Sequence, residues 1–354
     1  MTERVLIYRL GSLGDTIVAL PAFHLIRRVF PEAERRLLTA AIPDSRAVPV
    51  ADMLAGTGLV HSTLLYPLGL RNPVALWRLL RSIRAWRPDV LVYLAEPRGS
   101  GAVWRDILFF WLCGVARIVG APTTDDLRTH RLDVSRDLWE SEASRLGRCM
   151  APLGDVALDD AASWDLHFND DERRQVDEAF AGAGARDFIA FSIGAKIEIK
   201  DWGDDNWRLV LAHMARRWPD YGLILVGAAS EAARAGALAA PWPGPVINLC
   251  GRMSPRASAV AIGRTRMFVG HDTGPMHMAA AVGVPAVAVF AGHAKPGVWF
   301  PHGARHRPIY HRTPCFNCGL DVCIQFRKQC IMSIGPDEVI AACEDVMAAA
   351  ALGR

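Results

Sequence analysis

The sequence predicts an α/β protein built as two successive Rossmann-like lobes, and three observations carry that expectation. Short apolar runs alternate with helix-length segments from Val5 to Val119, the pattern of a parallel sheet covered on both faces. A polar join follows, from about Asp155 to Arg186, after which the alternation restarts at Phe188. The chain of 354 residues is also long for a single hydrophobic core. The expected division is 1–165, 185–335 and a closing helix over 336–354.

Val5–Leu10 is an apolar-rich strand, followed by Gly11-Ser12-Leu13-Gly14-Asp15 and a helix from Thr16 to about Val29 that contains Pro21. Leu37–Ile42 reads as strand, Arg46–Gly56 as helix, His61–Leu65 as strand and Pro73–Trp86 as helix. Asp89–Leu94 is a buried strand, Trp104–Cys113 an apolar helix and Ala116–Val119 a short strand. Charged residues around Asp170–Phe180 form a helix within the join. The second lobe runs Phe188–Ile193 (strand), Asp204–Arg217 (helix), Leu223–Val226 (strand), Ser230–Leu238 (helix), Val246–Leu249 (strand) and Ser254–Gly263 (helix). Met267–Val269 is its next strand, leading through Gly270–Pro275 into an Ala-rich helix from Met276 to Gly283, then the strand Ala286–Phe290. Pro336 opens the last helix, which reaches about Ala350.

Half of the residues are apolar, which excludes a disordered chain. A net charge of +3 is too small to indicate nucleic acid. No stretch reaches the ~20 apolar residues of a membrane span. The start, MTERVLIYRLGSLGD, enters a strand without a signal-peptide pattern, so a cytoplasmic location with reduced thiols is expected.

In α/β folds ligands sit at the C-terminal ends of strands. The first such loop is Gly11-x-x-Gly14-Asp15, which is not the G-x-G-x-x-G fingerprint, and no acidic residue closes the second strand to hold a ribose. A nicotinamide enzyme is thereby disfavoured. Asp15 is either a helix N-cap or a proton acceptor for an attacking hydroxyl. In the second lobe Gly194 and Lys196, with Lys200 beyond, suit a diphosphate, although Lys196 is equally read as a solvated loop lysine. Glu231 ends a strand where ribose hydroxyls could bind, and Met253 could lie against a purine. Asp272-Thr273-Gly274 offers unpaired N–H groups, a hydroxyl and a helix dipole to an anion; the plainer alternative is a capped helix with His277 a satisfied first-turn histidine.

The chain resembles the heptosyltransferase family of bacterial glycosyltransferases, family nine. The segments RVLIYRLGSLGDTIVALPAFHLIRRVFPEA, FSIGAKIEIKDWGDDNW, LILVGAASE and RMFVGHDTGPMHMAAAVGVPAVAVF carry the resemblance, in the family's order and spacing. It implies a GT-B fold, two Rossmann-like domains facing a cleft, with the closing helix packing back towards the N-terminal domain. It also implies an inverting, metal-independent transfer from a nucleotide diphosphate donor, ADP-heptose, to a lipopolysaccharide-core or other surface-glycan acceptor. Asp15 takes the place of the catalytic base. Lys200 and Asp272-Thr273-Gly274 bind donor phosphates, Glu231 the ribose and Met253 the adenine, with His277 in support. Gly14 and Arg98 stand on the acceptor side.

Cys315-x2-Cys318-x4-Cys323-x6-Cys330 lies outside that scheme. Its thiols suit a structural zinc or an iron–sulfur cluster, or stay as reduced thiols or disulfides; no catalytic cofactor is expected. Arg71, Arg78, Arg81, Arg84 and Arg87 lie in a helical region with Trp77 and Trp86, read as a solvated face or as contact with anionic lipid or an acidic acceptor. The expected partners are therefore the nucleotide sugar, a glycan or lipid-linked acceptor and, peripherally, the cytoplasmic face of the inner membrane. Two other functions compete. One is a non-catalytic nucleotide-binding protein on the same fold, which the presence of both Asp15 and Lys200 disfavours. The other is a metal or redox protein built on Cys315–Cys330.

Overall fold

β1 (Arg4–Tyr8) is buried from Val5 onward on both faces, as an unbroken apolar run requires of a central parallel strand. In a computed structural model that describes residues 3–40, 50–66 and 72–352, the chain forms two compact units, Met1–His167 and Phe168–Arg354.

In the first unit β1 is followed by α1 (Leu13–Val18), α2 (Leu20–Val29), β2 (Glu34–Ala40), α3 (Val50–Leu54) and β3 (Ser62–Tyr66). Then come α4 (Pro73–Trp86), β4 (Val90–Tyr93), α5 (Ser100–Leu112) and β5 (Arg117–Val119). The strands pair in parallel in the order β3-β2-β1-β4-β5. Chain direction across the sheet reverses between β1 and β4, so the loops leaving these two strands diverge and open a crevice at their C-terminal ends. Leu6, Tyr8, Leu38, Ile83, Leu91, Tyr93 and Phe110 build one core of this unit.

The helix expected over Thr16–Val29 is two helices. Pro21 has no N–H to offer the Ile17 carbonyl and its ring would collide there, so the helix breaks and Ala19 serves as the cap between α1 and α2. Of the helix expected over Arg46–Gly56, only Val50–Leu54 is helical among the described residues; Arg46, Ile42 and Arg71 lie outside them. After β5 come elements that periodicity did not indicate: α6 (Asp125–Arg128), the antiparallel pair β6 (Leu132–Asp133) and β7 (Leu138–Trp139), and α7 (Glu142–Met150). They are short or rich in charge, and α7 buries its Glu142 and Arg145 instead of exposing them.

The second unit opens with α8 (Asp170–Phe180), β8 (Phe188–Ser192), α9 (Asp204–Arg217) and β9 (Gly222–Leu225). α10 (Ala232–Ala239), β10 (Val246–Asn248), α11 (Pro255–Gly263), β11 (Thr265–His271), α12 (Gly274–Ala281) and β12 (Ala286–Val289) follow. β13 (Arg307–Ile309), α13 (Gln329–Met332) and α14 (Pro336–Leu352) complete it. The parallel order is β10-β9-β8-β11-β12-β13, which places the reversal between β8 and β11. α14 was expected to return towards the first lobe. Within its own unit it packs on α9 and β11–β13, where Val339, Cys343 and Val346 join the core around Trp202, Trp207 and Phe191.

Candidate active site

The crevice between β1 and β4 holds a pair of carboxyls. β1 runs out into Gly11, whose φ of +150° belongs to glycine and whose Cβ, if added, would stand 2.7 Å from the Asp15 Cβ. Ser12 is the N-cap of α1, and Asp15 is its third residue; Gly14 lies between them, inside the first turn. Asp15 Oδ2 accepts hydrogen bonds from the Ser12 backbone N–H and, at 2.8 Å, from the Ser12 hydroxyl. Asp15 is thus the reciprocal partner of the cap and not the N-cap itself. Buried Arg9 donates to the Asp15 carbonyl at 2.6 Å and to the Leu94 carbonyl at 2.5 Å, which ties the ends of β1 and β4 together. Burial opposes the charge on Asp15, but the Arg9 guanidinium and the Ser12 donors outweigh it and hold the carboxyl below its ordinary range.

Glu96, just past β4, is the residue that the sequence analysis passed over. It hydrogen-bonds the Asp15 carboxyl, and burial, together with the Asp15 charge, raises it to about 7. The available signal was its position: a carboxylate at the end of the strand that neighbours β1 across the reversal. Behind this pair Glu142 and Arg145 make a buried bidentate pair with both oxygens at 2.7 Å, joined by His130 at 2.9 Å, and Glu142 lies 4.0 Å from Arg9. These donors overcome the burial of Glu142 and lower it to about 2. The network therefore holds Arg9 in position. Arg98 lies just past β4, two residues beyond Glu96. It pairs with buried Asp106 at 3.3 Å and reaches the Tyr8 hydroxyl at 3.4 Å.

The crevice between β8 and β11 holds a cation beside a helix start. α12 begins at Gly274, two residues earlier than expected, with Thr273 as N-cap. The Thr273 hydroxyl makes no capping bond and donates instead to the His271 carbonyl at 3.4 Å. Lys200 Nζ lies 2.8 Å from Asp272 Oδ2 and 3.2 Å from the Asp272 carbonyl, directly before that helix. Lys196 is exposed. His277 is buried in the first turn of α12.

The lysine loop is held by His271, a second residue to which sequence reasoning gave no role. This fully buried ring accepts from the Trp202 N–H and from Trp207 Nε1, each at 3.1 Å. Its Nδ1 faces the Ile193 and Gly194 carbonyls at 3.2 and 3.3 Å, so Nδ1 carries the proton and the ring is neutral. Burial lowers it to about 4, which keeps it so. The same loop is clamped by Arg234, which bonds Asp201 at 2.9 Å and Asp204 at 2.7 Å. Close by, burial and then the Lys200 charge lower His293, whose Nδ1 is buried with no hydrogen-bond partner among the described residues.

Glu231 stands over the ends of β8 and β9. Its Oε2 accepts from the Ala228 N–H at 2.8 Å, and a Cβ at Gly194 or Gly227 would come within 2.7 or 2.1 Å of its carboxylate. Gly194 thus serves by clearing space for Glu231. Burial raises this carboxyl. Met253, half-buried, follows Gly251, where a φ of +68° and close approach to Ala229 both demand glycine.

Cys315, Cys318, Cys323 and Cys330 line one cavity of about 200 Å³. All are thiols, and among the described residues no three His, Cys, Asp or Glu side chains are set to hold a metal ion. Burial, and more weakly the charges of Cys315 and Cys318, raises the Cys330 thiol; four thiols around one space are the donor type that zinc or an iron–sulfur cluster takes.

A family model described as glycosyltransferase family 9 (heptosyltransferase) matches residues 145–330, just over half of the chain. Over 152 residues the chain is 30% identical to lipopolysaccharide heptosyltransferase 1 of Pseudomonas aeruginosa; the matched stretch is 43% of this chain and spans 41% of that relative's length. The fold is similar to that of a family 9 glycosyl transferase from Veillonella parvula (TM-score 0.70, 18% identity, 98% of both chains). It is also similar to Escherichia coli heptosyltransferase WaaC solved with ADP-2-deoxy-2-fluoro heptose (TM-score 0.62, 18% identity, 97% of this chain and 99% of that one).

Proposed function

The chain belongs to glycosyltransferase family 9 (heptosyltransferase), and from that membership we propose an inverting, metal-independent transfer of heptose from an ADP-linked donor to a lipopolysaccharide-core or other surface-glycan acceptor. One observation carries the reading: the strand-end crevices of the two sheets hold opposite chemistry. One presents an ionised carboxylate, Asp15; the other presents a cation, Lys200, beside the N-terminus of α12.

In this scheme Asp15 takes the proton of an acceptor hydroxyl. The resulting oxygen nucleophile attacks the anomeric carbon from the face opposite the diphosphate. The bond from that carbon to the diphosphate oxygen breaks, and its electron pair leaves with the diphosphate. Lys200 and the N–H groups at Thr273–Gly274 stabilise the charge that grows there, which is the task a metal would otherwise serve. Lys200 reaches the phosphates by exchanging Asp272 for them. Glu231 holds the ribose and Met253 lies against the adenine. Gly194 keeps the strand end open, Lys196 adds positive charge and His277 supports the helix start. Gly14 lets an acceptor approach Asp15, and Arg98 borders the acceptor side from its place on Asp106.

The test is a thermal-shift screen of nucleoside diphosphates, since a ligand at one hundred times its Kd stabilises by about 2.7 kcal/mol. ADP is expected to raise the melting temperature more than UDP or GDP, with or without chelator. A preference for UDP overturns the adenine assignment.

A further inference from the structure

α5 presents a face that a helix in water would not. Trp104, Leu108, Trp111 and Leu112 are 56%, 55%, 64% and 46% exposed, and their spacing of four, three and one puts them along one stripe. α4 adds Trp77, 55% exposed, and Val74, 54% exposed. Beside the α5 stripe runs a groove of about 690 Å³, lined by Trp104, Leu108 and Trp111 on one side and by Ile118 and Pro152 among others.

The exposed charge on these two helices has a single sign; Asp125 and Asp126, beside groove-lining Leu127, are each paired with an arginine. α4 carries no acidic residue, and its Arg78, Arg81 and Arg84 are all exposed. The one acid of α5, Asp106, is buried, where it accepts from the Tyr93 hydroxyl at 3.0 Å and pairs with Arg105 and Arg98. Arg81 stacks its guanidinium 4.7 Å from the Trp77 ring, so cation and indole form one amphipathic unit. The charge of Arg84 acts on Cys113, the C-cap of α5, which places the arginines of one helix beside the end of the other.

We propose that this α4–α5 face docks onto an anionic phospholipid bilayer. Indoles favour the boundary between hydrocarbon and water, and arginines favour a negative headgroup layer. A second copy of the chain fits less well, because a two-fold contact of this face with itself sets arginines against arginines. The inference stands independently of the glycosyltransferase reading.

The experiment is co-sedimentation of the full chain with vesicles of phosphatidylcholine, with and without phosphatidylglycerol, together with quenching of tryptophan by brominated lipid. Binding is expected to need phosphatidylglycerol and to weaken with salt. It should fall about fivefold for each arginine removed in Arg78→Gln/Arg81→Gln/Arg84→Gln, and quenching should be lost in Trp104→Ser/Trp111→Ser. Unchanged melting temperatures would show that both variants fold; if either does not, quenching of the unaltered chain still decides. Equal binding to both vesicles, variants that bind like the parent, absence of quenching, or a dimer that the tryptophan variant dissociates would each overturn the proposal.

Discussion

The carboxyls of Asp15 and Glu96 share a hydrogen bond where β1 and β4 end, with one acid held low and the other raised. Two buried carboxyls so close cannot both ionise cheaply. Arg9 and the Ser12 donors favour charge on Asp15, so the shared proton resides on Glu96. This leaves Asp15 as the ionised member near neutral pH, the state a general base needs. The two groups titrate as a pair, and changing either one moves both.

Glu96 gives the first prediction. Its folded value is raised above that of an unfolded glutamate, so its contribution to stability is present in full below about 4.5 and is lost as pH rises through about 7. Glu96→Gln keeps a hydrogen-bond donor and removes the titration. Thermal melts of the parent from pH 5 to pH 8 are expected to show a decline of several degrees that the variant lacks. Parallel curves for the two proteins would contradict the pairing.

Lys200 gives the second. Its ammonium lies between the Asp272 carboxylate and carbonyl, a position suited to a point charge. Lys200→Ala is expected to lower kcat by roughly 10²- to 10³-fold and to weaken ADP binding measured by calorimetry. Lys200→Arg is expected to recover little, because a planar fork does not fit the same spot. Unchanged ADP affinity in Lys200→Ala would remove Lys200 from the diphosphate.

His271 gives the third. Replacing it with alanine leaves the Trp202 N–H and Trp207 Nε1–H buried without acceptors, a loss of about 3–5 kcal/mol in urea unfolding. The folded ring is depressed to about 4. Its contribution is therefore present above the unfolded histidine value of about 6.5 and is lost as pH falls towards 4. The stability of the parent should fall between pH 7 and pH 5 more steeply than that of the variant.

These residues also mark how far the sequence could be read. α4, α8 and α9 begin and end where an amphipathic period and a Pro, Asn or Gly boundary place them. β1, β4, β8 and β11 follow from apolar runs, and their order sets both crevices. β13 was invisible because Arg-Pro-Ile offers neither an apolar run nor alternation, and it exists by pairing with β12. Asp15, Lys200 and Glu231 could be singled out because they lie in the segments that follow strand ends. Glu96 and His271 could not be assigned roles, because their state depends on which groups surround them in space: Asp15 and Arg9 for one, two tryptophans and two carbonyls for the other. The four cysteines of 315–330 could be grouped from their spacing, and the fold brings all four to one cavity.

The most direct test of the account is Asp15→Asn, measured for both sugar transfer and ADP affinity. Transfer is expected to fall by about 10²- to 10⁴-fold, while the Kd for ADP stays within twofold or so of the parent value, because the nucleotide is assigned to the other lobe. Transfer at the parent rate would contradict the account, and so would an equal loss of transfer and of ADP binding.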